Sequence, residues 1–113
     1  MRKYKLAPKV LARIKWWDNR DGNGIAQELN GSEFYIDESV IGNLILRDGD
    51  FIFLRENLSI KHCRCGMAVT RAKVTEATKS EFQIASTIRN SIAYMQSATK
   101  QLIRLRRLRL GEV

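Results

Sequence analysis

The chain has 113 residues, 44% of them hydrophobic, enough for a single domain that buries about two-thirds of its unfolded surface without disulfide staples. No apolar run exceeds Phe51-Ile52-Phe53-Leu54 and none follows the basic start, so neither a bilayer span of roughly 20 residues nor a secretory signal is expected. Twenty Lys and Arg against twelve Asp and Glu leave a formal net charge of +8, which points to acidic partners.

The charge falls in blocks along the chain. Residues 1–20 carry +6, residues 21–60 carry −6, residues 61–79 carry +4 and residues 80–113 carry +4. Blocks of this kind suit a protein that grips polyanions with its ends better than they suit an evenly solvated surface. Residues 1–9 are a polar basic arm with Arg2, Lys3 and Lys5 as candidate phosphate contacts.

Val10 to Trp17 reads as a first strand of β-branched and aromatic residues, with Arg13 and Lys15 interspersed. Strict alternation puts Trp16 with Val10, Ala12 and Ile14 on one face and Trp17 with Arg13 and Lys15 on the other. One tryptophan belongs in the core, and Trp16 can face outward only if a bulge or sharp curvature intervenes near Lys15. The stretch from Asp18 to Gly24 is a loop signal, and Asn30-Gly31 between Ile25–Leu29 and Glu33–Asp37 predicts a tight hairpin. Asp48-Gly49 marks a turn before a strand over Asp50–Arg55, and Gly66 precedes a last strand over Met67–Val74. Five short strands hide their edges most economically by closing into a small barrel. Phe51 and Phe53 would leave one face of their strand apolar in a free barrel, so a cover is expected there.

From about Thr78 the period lengthens. Ile84, Ile88, Ile92, Met95, Thr99 and Leu102 recur every three or four residues, which predicts an amphipathic helix with Ser80 as N-cap and Gly111 as stop. A stripe like this needs packing, so the helix is expected to dock Phe51 and Phe53 through Ile84, Ile88, Ile92 and Met95, or to pair with a second copy as a homodimer. Arg104, Arg106, Arg107 and Arg109 alternate with leucines at its end. These guanidiniums suit phosphate first, an acidic protein groove second and a membrane surface last, since no aromatic anchor accompanies the leucines. Alternatively the leucines pack and the arginines merely face solvent.

His62-Cys63-Arg64-Cys65 holds the only histidine and both cysteines. Three contiguous ligands lack the separated pairs of structural zinc, so neither a metal nor another cofactor is expected, and two cysteines suit a reducing cytoplasm. No nucleophile–base set or phosphate-binding loop stands out, so no catalysis is expected.

The run Lys15-Trp16-Trp17-Asp18-Asn19-Arg20-Asp21-Gly22-Asn23-Gly24-Ile25-Ala26, with Phe34-Tyr35-Ile36-Asp37-Glu38-Ser39-Val40-Ile41, resembles the cold-shock domain, whose motifs read K-W-F-N, K-G-F-G-F-I and V-F-V-H-F-S-A-I. Asp48-Gly49-Asp50 is similar to that family's E-G-Q turn and Ala72-Lys73-Val74 to its closing A-N-V. The resemblance covers roughly residues 10–75. It implies a mainly β protein, a five-stranded OB-fold barrel whose outer face stacks single-stranded RNA or DNA on aromatic rings. Asn23, Ile25 and Glu38 stand where the family has phenylalanines, Asp37 where it has histidine and Asp21 where it has lysine. Only Lys15, Trp16 and Tyr35 carry over as contacts, with Trp17 a weaker fourth.

The organisation expected is an arm over residues 1–9, a cold-shock-like barrel over 10–76 and a basic amphipathic helix over 77–113. The function expected is non-catalytic binding of single-stranded nucleic acid, with affinity mainly from Arg2, Lys3, Lys5, Arg13, Lys15, Arg104, Arg106, Arg107 and Arg109. The competing expectation is an adaptor that has lost that role and engages a protein of the transcription or translation machinery.

Overall fold

A computed structural model describes residues 7–60, 62 and 64–109, and for residues 108 and 109 the backbone alone. Five strands form one curled antiparallel sheet: β1 (Lys9–Asp18), β2 (Asn23–Glu28), β3 (Glu33–Asp37), β4 (Phe51–Glu56) and β5 (Gly66–Arg71). A short helix α1 (Glu38–Ile41) follows β3, and a long helix α2 (Glu76–Arg109) follows β5. The strand order is β3-β2-β1-β4-β5. An isolated parallel bridge between Tyr35 and Cys65, with the Tyr35 N–H donating to the Arg64 carbonyl at 2.8 Å, draws the two edges together and curls the sheet toward a barrel.

The hairpin expected at Asn30-Gly31 is present, with Gly31 at φ +95 and the Gly31 N–H donating to the Glu28 carbonyl at 3.0 Å. The bulge near Lys15 is present too, because the β1–β2 register shifts between Ile14 and Trp16. Beyond it Trp17 packs on the core while Trp16 is 42% exposed. The Asp48-Gly49 turn that precedes β4 holds this bulge open. Gly49, at φ +88, donates its N–H to the Ile14 carbonyl at 2.7 Å, and the Asp48 carboxylate accepts the Trp17 N–H at 2.9 Å.

Alternation delivers Ala12, Ile14, Ala26, Phe34, Ile36, Ile52 and Leu54 to the interior. Full burial of each large side chain contributes about 1.5–3 kcal/mol. Ile41 of α1 and Leu46 of the following loop join the same core, a contribution the sequence pattern does not announce. Gly66 starts β5 so close to the core that a Cβ there would sit 2.9 Å from Ile36 Cγ2.

Three expectations need correction. β5 ends at Arg71 rather than Val74: the Ala72 N–H still donates to the Phe51 carbonyl at 2.9 Å, and beyond it the chain leaves the ladder as Ala72 and Val74 pack with Phe51 and Phe82. The helix begins at Glu76, not after Ser80. Its cap is Thr75, whose hydroxyl accepts the Thr78 N–H at 3.2 Å, satisfying one of the first-turn donors. The docking residues also differ. Phe51 is covered by α2 and Phe53 is half-buried beside it, but the covering residue is Phe82. Ile84, Ile88, Ile92 and Met95 stay 50–65% exposed, since the polar neighbours of Phe82 face the sheet and turn the apolar stripe outward. Gly111 lies outside the described residues. Among the described residues no helix is long and apolar enough to cross a membrane.

Candidate nucleic-acid interface

The bulge in β1 builds the outer face. Trp16 stands opposite Ile25 and Ile25 opposite Tyr35, so three side chains form one row across β1, β2 and β3 on the face away from the core. Trp16 and Tyr35 are the exposed ends of the row, at 42% and 36%, and Ile25 is the half-buried middle. Gly24 makes the crossing possible, since a Cβ there would collide with the Trp16 carbonyl oxygen and approach Trp17 Cε3 at 2.8 Å.

Polar groups frame this row unequally. On one side Arg13, Gln27 and Glu33 share a row, and Lys15 Nζ lies 2.7 Å from a Glu33 carboxylate oxygen in an exposed ion pair. On the other side Asp18, Asn23 and Asp37 share a row. There the Asp37 carboxylate caps α1 by accepting the Ser39 N–H at 2.9 Å, and Glu38 crowds Gly22. A polyanion on this face meets cations toward Arg13 and carboxylates toward Asp37.

Helix α2 crosses the same face on the cationic side. Phe82 rests on Phe51 of β4, the Arg13 guanidinium of β1 donates to Gln83 Oε1 at 3.5 Å, and Arg89 reaches the β2–β3 hairpin. The Arg89 guanidinium donates to the Leu29 carbonyl at 2.9 Å and to Gln27 Oε1 at 3.2 Å. Seven residues of helix rise about 10 Å, which matches the two strand spacings of about 4.8 Å from β4 to β2.

The sequence-predicted site residues therefore divide. Arg13, Lys15, Trp16 and Tyr35 converge on one face. Arg104, Arg106 and Arg107 are exposed and begin about 22 Å farther along the helix axis than Arg89, so the structure does not bring them to that face. Arg109 lies in the last described turn of α2. Arg2, Lys3 and Lys5 lie outside the described residues. Arg71, Lys73, Lys79 and Arg89 escape sequence reasoning, because Lys79 and Arg89 reach the outer face only through the path of α2 and Arg71 and Lys73 border it only where β5 hands over to α2. Cys65 serves the parallel bridge, and among the described residues no three His, Cys, Asp or Glu side chains gather as a metal site requires.

No family model matches the chain, and no curated protein matches its sequence.

Proposed function

We propose that the protein binds single-stranded RNA or DNA without catalysis, through a divergent cold-shock-like face on an OB-type barrel. The observation that carries this reading is the Trp16–Ile25–Tyr35 row with Lys15 and Arg13 beside it. Two exposed rings offer base-stacking platforms worth about 1–3 kcal/mol each, and the adjoining cations answer the phosphates. The basic end of α2, with Arg104, Arg106, Arg107 and Arg109, adds affinity that ignores base sequence. The cytoplasm is the compartment we assign, on a two-cysteine composition that suits reducing conditions.

A second reading, docking to a protein, is favoured by one observation. Ile84, Ile88, Ile92, Met95 and Leu102 form an exposed apolar stripe on α2, a surface that suits a partner groove or a second copy.

The test is a binding titration against single-stranded RNA, single-stranded DNA and duplex at several salt concentrations. Nucleic-acid binding gives log affinity falling linearly with log salt, by about 0.7 per phosphate engaged on a single strand. Preference for single strands supports stacking; absence of binding at low salt hands the function to the protein-docking stripe.

A further inference from the structure

Helix α2 turns a polar stripe toward the sheet. Lys79, Gln83, Ser86 and Asn90 recur every three or four residues along one flank of α2, and every one of them borders a groove against the barrel. The groove has two connected parts. One, of about 800 Å³, lies where α2 leaves β5 and takes Asp50, Arg71, Lys73 and Lys79 into its walls. The other, of about 550 Å³, runs on between α2 and β1–β2 to Lys15 and Arg89. Arg13, Gly49 and Gln83 border both parts, so they are continuous.

Its charge is one-sided. Among the described residues six cations line the combined groove (Arg13, Lys15, Arg71, Lys73, Lys79 and Arg89) against one carboxylate, Asp50. That carboxylate is already engaged, accepting the Arg47 N–H at 3.0 Å and lying 3.8 Å from Arg71. The remaining helix groups, Ser80, Gln83, Ser86 and Asn90, are neutral donors and acceptors. An open trough walled by one sign of charge raises the local concentration of the opposite charge. The groove ends at Lys15, the residue next to Trp16, whereas the far side of the aromatic row carries Asp18 and Asp37.

We propose that this groove is a phosphodiester subsite, holding the sugar–phosphate backbone of a single strand whose bases rest on Trp16 and Tyr35. The proposal rests on the nucleic-acid reading above and adds a direction to it. The carboxylates near Asp37 turn the backbone away, and the strand leaves the aromatic row along α2 past Arg13 toward Lys73 and Lys79. Between Lys79 and Asn90 the helix rises about 16 Å, enough wall for a short run of phosphates.

Lys73 and Lys79 are exposed, and among the described residues the one ion pair between them and a carboxylate is the exposed Lys79–Glu76 pair at 3.2 Å, so both can be changed without cost to the core. The experiment titrates the full chain and the Lys73→Gln/Lys79→Gln variant with a single-stranded oligonucleotide over a salt series, with thermal unfolding of both proteins as a control. Loss of two phosphate contacts should lower the slope of log affinity against log salt by about 1.4 and weaken binding about 25-fold at 0.1 M salt. Lys73→Glu/Lys79→Glu should weaken it further. A wild type that binds the oligonucleotide while the variants keep its slope and affinity overturns the subsite and leaves the aromatic face standing. A wild type that binds no oligonucleotide at low salt overturns the nucleic-acid reading itself. Binding of poly-glutamate in place of the oligonucleotide, lost in the same variants, assigns the groove to an acidic protein and overturns the subsite.

Discussion

Phe82 of α2 meets Phe51 of β4 edge to face, with ring centroids 5.0 Å apart and planes at 88°. The pair, with Ala72 between β5 and α2, forms a second small core on the outer side of the sheet, and it fixes where the helix crosses the barrel. Replacing Phe82 by Ala removes that anchor and uncovers Phe51. A loss of about 3 kcal/mol is expected, with hydrogen exchange accelerating across residues 76–89 more than in β1 and β2.

Gly24 determines whether Trp16 can stand on the surface. A methyl group there meets the Trp16 carbonyl and the backbone and core-packed ring of Trp17, so Gly24→Ala must push β2 away from the bulge. Overpacking of this kind costs about 1–3 kcal/mol. Thermal unfolding measures the loss, and oligonucleotide affinity is expected to fall with it because moving β2 breaks the Trp16–Ile25–Tyr35 register.

The two tryptophans should separate cleanly. Trp17 packs on the core and its indole N–H donates to Asn19 Oδ1 at 2.9 Å, so Trp17→Ala is expected to cost about 3 kcal/mol of stability. Trp16→Ala should leave the melting temperature nearly unchanged and weaken single-strand binding by about 1–3 kcal/mol. Denaturant unfolding and an affinity titration on the same two variants check both halves.

The tail is expected to act as a separate electrostatic grip. Changing Arg104, Arg106, Arg107 and Arg109 together to Gln keeps helix propensity while removing four charges. The salt slope should fall by as much as about 2.8, with RNA and DNA weakened alike. The tryptophan emission change at saturation should persist, because Trp16 lies on the barrel.

Local rules made much of the barrel legible. Strict alternation would have put Trp16 inside with Ala12 and Ile14, so the bulge near Lys15 was legible only once the cold-shock resemblance placed Trp16 on the outer face, whereas Asn30-Gly31 announced its hairpin by itself. Other features depended on competition between similar signals. Thr75, Thr78 and Ser80 are all capping residues, and geometry chose Thr75 because Ala72 and Val74 end β5 early and let the helix begin sooner. The docking face misled for a physical reason. The apolar stripe from Ile84 to Leu102 is the strongest periodic pattern in the helix, but of about 50 Å of helix the last stretch of roughly 24 Å, beyond Ala93, overshoots the barrel, and the residues that hold the helix, Phe82, Gln83 and Arg89, lie outside that stripe. The basic groove had no local signature, since Arg13, Arg71, Lys73 and Arg89 come from four separate elements or connections.

The most direct test of the central claim is a map of amide and indole chemical shifts during titration of the full chain with a short single-stranded oligonucleotide. The largest changes are expected at Trp16, Ile25 and Tyr35, extending through Lys15 and Arg13 to Gln83. Shifts confined to the exposed stripe from Ile88 to Leu102, or no shifts at low salt, would contradict a nucleic-acid face on this barrel.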